Sequence, residues 1–249
     1  MIIIKRRHEI ELMREANRIV AIVLSEISDL IKVGVSTEEL DAWAESRVRQ
    51  LGAEPGFKGY RGYPATLCTS VNEQVVHGIP SKKSILKEGD IIGIDIGTHY
   101  RGYYGDGACT YAVGKIRKDL QLLMDTCKSA LDEGVSAALV GNRVSDISVA
   151  IDSTVRPKGF EIVRDLTGHG IGAALHEDPQ VINYNDGRKT ERLKPNMTLS
   201  IEPMITNGTY RVKTLADGWT VVTEDGSYSA HFEHTIAITD NGPEILTRI

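Results

Sequence analysis

Two aspartates and two glutamates, with one histidine, carry the chemistry available to this sequence. Asp95 stands inside the apolar run Ile91-Ile92-Gly93-Ile94-Asp95-Ile96-Gly97, and Asp106 follows in Tyr103-Tyr104-Gly105-Asp106-Gly107. A run this apolar reads as a buried strand, where a lone carboxylate is costly unless something pairs with it. The corner from Thr98 to Gly102 is rich in turn residues. A hairpin loop centred between Tyr100 and Arg101 sets Asp95 opposite Asp106, with Cβ atoms roughly 5 Å apart on one face. Two like charges at that distance repel strongly unless a cation or a proton sits between them. A surface hairpin with two solvated aspartates is the plain alternative, and the flanking isoleucines argue against it.

Further carboxylates recur in the second half. Gly52 and Gly159, Lys87 and Lys194, and Asp95 and Glu202 are each separated by 107 positions, the mark of an internal repeat. Lys87-Glu88-Gly89-Asp90 leads into the strand of Asp95 as Lys194-Pro195-Asn196-Met197 leads into that of Glu202, and His77-x-x-Pro80 has an echo in His176-x-x-Pro179. The run from Ala230 to Ile236, which carries Glu233, reads as one return strand matching the strand around Asp106. These patterns predict a single domain over 1–249, made of two α/β halves (8–115 and 116–249) that face a shared cleft across an approximate two-fold.

If Asp95, Asp106, Glu202 and Glu233 converge there, four carboxylates are not stable together at neutral pH without cations. Two divalent ions balance the four charges, and a single imidazole completes a hard, oxygen-rich site. His169, in Gly168-His169-Gly170-Ile171-Gly172, is the candidate because its small neighbours let the backbone bend and an ion approach. A histidine between glycines is by itself more often a turn residue, so the constellation carries the inference.

The elements that position these residues are legible as periodicities. From His8 to about Ile31, residues such as Leu12, Ala16, Ile19, Val23 and Ile27 recur at helical spacing, and the helix ends near Gly34. Ser36 and Glu39 have the spacing of a capping box, opening a second helix that stops near Gly52. Leu67 to Asn72 reads as a strand, after a Gly/Tyr/Pro loop at Tyr60 to Pro64. After Gly114 the order restarts with a helix from about Asp119 to Leu139, then a cap at Ser145 and a shorter helix to about Val155. Between Glu202 and Glu233 lie roughly twenty more residues than between Asp95 and Asp106. Asn207-Gly208 and Asp217-Gly218 in that insert are hairpin signals, so an extra hairpin is predicted over the cleft.

Composition narrows the partners. A net charge of -5 over 249 residues argues against broad binding to nucleic acid or to an anionic membrane. Glu9, Glu11, Arg14 and Glu15 interrupt any apolar core before the short run from Ile19 to Leu24, so neither an export signal nor a transmembrane helix is expected. Cys68, Cys109 and Cys127 form no CxxC and leave at least one thiol unpaired, which fits a reducing cytoplasm.

Taken in order, Asn72-Glu73, His77-Gly78-Ile79-Pro80, Ile94-Asp95, Gly105-Asp106, Gly168-His169-Gly170-Ile171-Gly172, Ile201-Glu202-Pro203-Met204 and Phe232-Glu233-His234-Thr235 closely resemble the type I methionine aminopeptidases in their short bacterial form, over nearly the whole chain. The resemblance implies the pita-bread fold and removal of the initiator methionine from nascent proteins. It implies metal ligation by Asp95, Asp106, His169, Glu202 and Glu233, with Asp106 and Glu233 shared by both ions, Asp95 on one and His169 with Glu202 on the other. A water activated by the metals would attack the first peptide bond, Glu202 would be the general base, and the substrate α-amine would sit on the Asp95 side. His77 and His176 would hold the P1′ amide and the developing oxyanion. Tyr60, Tyr63, Cys68 and Trp219, with Phe57 and Leu175, match the family's methionine pocket. The plain alternative for either histidine is a buried structural residue, against the usual functional role of histidine, whereas the aromatics and the thiol, taken alone, are more often plain core. His231 and Leu175 depart from residues common in close relatives, at the shell near Glu233 and in the pocket respectively.

The metal is left open among Co, Mn, Fe(II) and Zn. Expected partners are N-terminal Met peptides of nascent chains, met by a monomer, with a transient encounter with the ribosome left open. Two other readings compete: a proline-type aminopeptidase of the same fold, which usually carries an added N-terminal domain, and a non-catalytic peptide-binding module, which would have lost ligands that are all present here.

Overall fold

A computed structural model describes the chain from Met1 to Ile249. The first half contains α1 (Arg7–Ile27), α2 (Thr37–Gln50), β1 (Glu54–Pro55), β2 (Leu67–Val71), β3 (Gln74–Val76), β4 (Ile91–Tyr100) and β5 (Tyr103–Ala112). The second contains α3 (Lys118–Ser136), α4 (Val144–Val155), β6 (Glu161–Ile162), β7 (Gly168–Gly170), β8 (Glu177–Val181), β9 (Thr198–Ile201), β10 (Met204–Thr206), β11 (Val212–Thr214), β12 (Val221–Thr223), β13 (Ser229–His231), β14 (Glu233–Thr239) and β15 (Gly242–Ile245). Nine strands form the central sheet in the order β1-β4-β5-β14-β9-β7-β8, with β2 also on β4 and β15 also on β14. All its pairings are antiparallel. First-half strands thus occupy one side and second-half strands the other, meeting where β5 pairs with β14 through Glu233–Ala108 and His234–Gly107.

Each half is backed by its own helices. Ile19, Val20, Val23 and Ile27 of α1 and Leu40, Ala44 and Val48 of α2 pack with Ile92, Ile94 and Ile96 of β4. Leu123, Cys127 and Leu131 of α3 and Ile147 and Ile151 of α4 pack with Leu199, Ile201 and Ile236. Each such aliphatic side chain contributes about 1.5 to 3 kcal/mol by leaving water. The isoleucines at even positions of β4 face the helices, which turns Asp95 to the opposite, cleft face. The capping box opening α2 forms as expected, with Ser36 Oγ accepting the Glu39 N–H and Glu39 accepting the Ser36 N–H. No helix is long and apolar enough to cross a membrane.

Four local expectations need correction. Tyr100 pairs with Tyr103, so the hairpin loop is Arg101-Gly102, both at positive φ (48° and 91°), the pattern of a tight two-residue turn. Asp95 therefore pairs with Ala108, and Asp106 with Gly97. A slip of two residues keeps both aspartates on one face as diagonal neighbours. Ser145 is not a cap: Arg143 holds that position, its N–H bonded to the Asp146 carboxylate at 2.7 Å, while the Ser145 N–H donates to Thr190 Oγ1 at 2.7 Å inside α4. The expected return strand from Ala230 to Ile236 is two strands broken at Phe232, with β13 pairing β10 outside the central sheet. Asn207-Gly208 is not a tight turn. Asn207 Oδ1 instead accepts the Tyr228 N–H across the base of the insert, whereas Asp217-Gly218 does close the predicted hairpin β11–β12, which adds to β3.

Candidate metal centre

Asp106 is set by two glycines and a helix. A Cβ on Gly105 would lie 2.7 Å from the Ala16 carbonyl carbon, and one on Gly107 would lie 2.9 Å from Val20 Cγ1, so α1 packs on β5 where side chains are missing. Asn17 Oδ1 takes the Asp106 N–H at 3.1 Å, and Thr235 Oγ1 donates to the Asp106 carbonyl at 2.8 Å. Glu202 lies at a corner between β9 and β10, where Pro203 has no N–H for the ladder. Glu233 begins β14, and its carboxylate accepts the Ser200 hydroxyl. His169 stands at an irregularity in the β7–β8 register. Its Nδ1 lies 2.9 Å from the Gly170 carbonyl and must donate to it, leaving the lone pair on Nε2.

These side chains converge. Ligand atoms of Asp106, His169 and Glu233 lie within 4.8 Å of one another. His169 Nε2 is 3.5 Å from Glu202 Oε1 and 3.8 Å from Asp106 Oδ2. Burial, then the charges of Glu233 and Glu202, push Asp95 well above the usual carboxylate range; burial, Glu233 and Asp95 do the same to Asp106. Burial pushes Glu202 to about 8, and burial with Glu202 pushes Glu233 to about 8. Asp95 Oδ1 and Asp106 Oδ1 are buried without any hydrogen-bond partner. No lysine lines the cavity. Arg61, the lone arginine there, stands 5.3 Å over the Tyr60 ring instead. Orphaned carboxylate oxygens with one imidazole nitrogen fit divalent cations.

The cluster forms the floor of a cavity of about 160 Å³. Every residue expected in the pocket lines it: Phe57, Tyr60, Tyr63, Cys68, His77, Leu175, His176 and Trp219. Cys68 pairs with Asp95 across β2–β4, and burial keeps its thiol protonated. The Phe57 ring packs closely against Gly97, where a Cβ would come within 2.4 Å of it. Trp219, brought in by the β11–β12 hairpin, meets Tyr63 edge-on at 5.1 Å. His77 sits at positive φ (58°) just past β3, and burial lowers its pKa to about 4. The ring of His176 is 4.3 Å from that of His169, with Nδ1 2.9 Å from the Tyr60 hydroxyl.

A model of metallopeptidase family M24 matches residues 11–240. The chain is 52% identical to methionine aminopeptidase 1 of Bacillus subtilis over 249 residues, covering 100% of both, and 50% identical to the methionine aminopeptidase of Clostridium acetobutylicum, covering 99% of each. It belongs to the methionine aminopeptidases. These are metallo-aminopeptidases, hydrolases with the pita-bread fold, so the resemblance read from the sequence holds. The crystal structure of methionine aminopeptidase from Thermotoga maritima superposes with a TM-score of 0.98 at 44% identity, each chain covered in full. Prolidase from Pyrococcus furiosus shares the fold less closely, with a TM-score of 0.80 at 25% identity, and this chain covers 66% of it. The full-length match therefore lies with the methionine aminopeptidases.

Two residues at this centre escaped sequence reading, and a third reaches further than expected. Arg61, in the Gly/Tyr/Pro loop, lines the cavity mouth, and nothing in that loop's composition singles it out. Ser200 supports Glu233 from the alternate face of β9. His231, expected near Glu233, also reaches Glu202: its Nε2 is buried, lacks a hydrogen-bond partner and lies 3.6 Å from Glu202 Oε2.

Proposed function

We propose that this methionine aminopeptidase removes the initiator methionine from nascent proteins whose second residue is small, acting as one catalytic domain that holds two divalent ions. The observation that supports this best is the carboxylate cluster at the floor of a cavity walled by Tyr63, Cys68 and Trp219. Asp95, Asp106, His169, Glu202 and Glu233 would hold the ions, chosen from Co, Mn, Fe(II) or Zn. When bound, such ions polarise the scissile carbonyl and lower the pKa of a water.

The protein's own groups then divide the work. The methionine side chain occupies the wall of Tyr60, Tyr63, Cys68 and Trp219, with Phe57 and Leu175 behind it, and leaves the rest of the peptide to pass His77 and His176. Glu202 takes a proton from the attacking water and returns it to the leaving amine as the C–N bond breaks, so no net proton is consumed. With the Tyr60 hydroxyl donating to Nδ1, His176 carries its proton on Nε2 and donates it to the developing oxyanion. His77, neutral at physiological pH, holds the P1′ amide. The enzyme works as a monomer in the cytoplasm, meeting its substrates in transient contact with the ribosome.

The deciding experiment is hydrolysis of Met-Ala-Ser by metal-stripped protein with each ion added back singly. Restored release of methionine is expected. Cleavage confined to bonds before proline would move the chain to the proline-peptidase reading, and peptide binding with no cleavage under any ion would make it a binding module.

A further inference from the structure

Lys5 and Glu177 form an ion pair that no step of the reaction uses. Lys5 Nζ lies 2.6 Å from Glu177 Oε2, with the side chains 3% and 5% exposed. Desolvating two charges at that depth offsets most of their attraction, so such a pair is weak evidence for stability and invites a search for what it places. Lys5 is itself fixed: Nζ also donates to the Ile3 carbonyl at 3.1 Å, and its N–H donates to the Asn196 carbonyl at 2.9 Å. Glu177 opens β8 directly after His176. Its other oxygen accepts the Ala174 N–H at 3.2 Å, closing the loop between β7 and β8 around Leu175 and His176. The loop folds down tightly on the pair, since a Cβ on Gly172 would fall 2.3 Å from Lys5 Cε and 2.6 Å from Glu177 Oε1. Ala173 and Ala174 face solvent and give the loop little to pack with.

We propose that the Lys5–Glu177 pair is a latch by which the arm preceding α1 positions His176, making Lys5 and Glu177 positioning residues of the peptidase reaction. This rests on the role of His176 given above. On the cavity side the His176 ring meets the Tyr60 hydroxyl at 2.9 Å and the His169 ring at 4.3 Å, so the backbone height set by Glu177 decides how far its Nε2 reaches past them. A displacement of about 1 Å at such a group costs up to about 10²-fold in rate.

The test is the double variant Lys5→Met/Glu177→Gln, which removes both charges and leaves none buried alone. We expect a folded protein with wild-type metal content, a KM for Met-Ala-Ser within about twofold of wild type and a kcat about 10- to 100-fold lower. Nitrogen-15 NMR of the ring should show His176 signals shifted or broadened and those of His77 unchanged. Glu177→Asp keeps the pair neutral overall but shortens the latch by one methylene; it should lower kcat about tenfold even if the double variant fails to fold. Wild-type kcat with unmoved His176 signals in Glu177→Asp, or in a folded double variant, overturns the latch. If wild-type protein cleaves no Met peptide with any ion, the aminopeptidase reading fails instead, and the NMR comparison still decides whether the pair places His176.

Discussion

Glu202 and Glu233 face each other at the point where two paired strands leave the central sheet together. On one side Ile201 pairs with His234 in that sheet, and on the other Met204 pairs with His231 in a separate one. A carboxylate at each break points into the cleft without giving up a ladder position, which is how two more charges are added to the aspartates of the β4–β5 hairpin. Removing one charge from this balance leaves the rest unable to hold cations. Asp106→Asn and Glu233→Gln should each stay folded, lose bound metal on dialysis and turn over at background. Metal analysis and a Met-Ala-Ser assay check this, and wild-type stoichiometry with unchanged turnover would remove both residues from the site.

Metal-stripped protein should lose stability as pH rises from about 6.5 to 8.5. Glu202 and Glu233 titrate near 8 in the fold, against 4.5 ordinarily, so the folded state holds protons that the unfolded chain has released. Stability from these groups is complete below the unfolded value and is lost as pH climbs through 8. The buried histidines work in the opposite sense. His77, lowered to about 4 from 6.5, costs stability only as pH falls below 6.5, so the alkaline window reports the carboxylates. Thermal unfolding at several pH values reads the slope, and a saturating divalent ion should flatten it. A slope that is flat without metal as well would show that the carboxylates are not protonated in the fold.

Gly105→Ala tests how α1 fixes Asp106. The added methyl would meet the backbone of Ala16 and Asn17 at 2.7 to 2.8 Å, not a flexible side chain. Either the helix or the strand must give way, at a cost of about 1 to 3 kcal/mol. Denaturant unfolding should show this loss, and cation affinity should fall with it because Asp106 moves. Full stability would mean that α1 yields freely.

What the sequence discloses and what it hides follow from range. The capping box of α2 and the cleft face of Asp95 and Asp106 depend on neighbours within a few positions, and they were legible even though the hairpin centre was misplaced, because a two-residue slip preserves the face. The break at Phe232 was not legible. Ala230 to Ile236 keeps its strand composition throughout, and the break answers Pro203 on the partner strand. Lys5 and Glu177, 172 positions apart, read singly as solvated charges, and only the fold buries them together. The cavity lining was recovered through the family motifs, since Tyr63, Cys68 and Trp219 show no common period along the chain.

His176→Ala should separate chemistry from metal binding. The ring lies 4.3 Å from that of His169 but has no carboxylate contact among the ion pairs of the cluster. Metal content should stay at wild type while kcat falls about 10²- to 10³-fold, the loss expected for one oxyanion donor. Wild-type turnover would reassign the residue to structure.

The selectivity of the cavity is the most direct test of its walls. Tyr63 and Trp219 meet edge to face, Cys68 is held as a neutral thiol by burial, and Phe57 closes the end against Gly97. Such a wall offers apolar contact along an unbranched side chain and no partner for a polar one. Methionine and norleucine differ little in shape, so both should be released from the N-terminus at similar kcat/KM. Alanine there forfeits about 2 to 3 kcal/mol of burial, equivalent to about thirty- to two-hundredfold in specificity. At the second residue, the proposed placement of His77, His176 and the β11–β12 hairpin along the exit leaves room only for a small side chain, so Met-Ala, Met-Gly and Met-Ser peptides should be cut while Met-Lys and Met-Leu are largely spared. A panel of tripeptides varied at the first two positions gives both ratios in one experiment. Equal cleavage whatever the first residue would remove Tyr63, Cys68 and Trp219 from substrate recognition, and equal cleavage of Met-Ala and Met-Leu would show that the histidines and the hairpin do not restrict the exit.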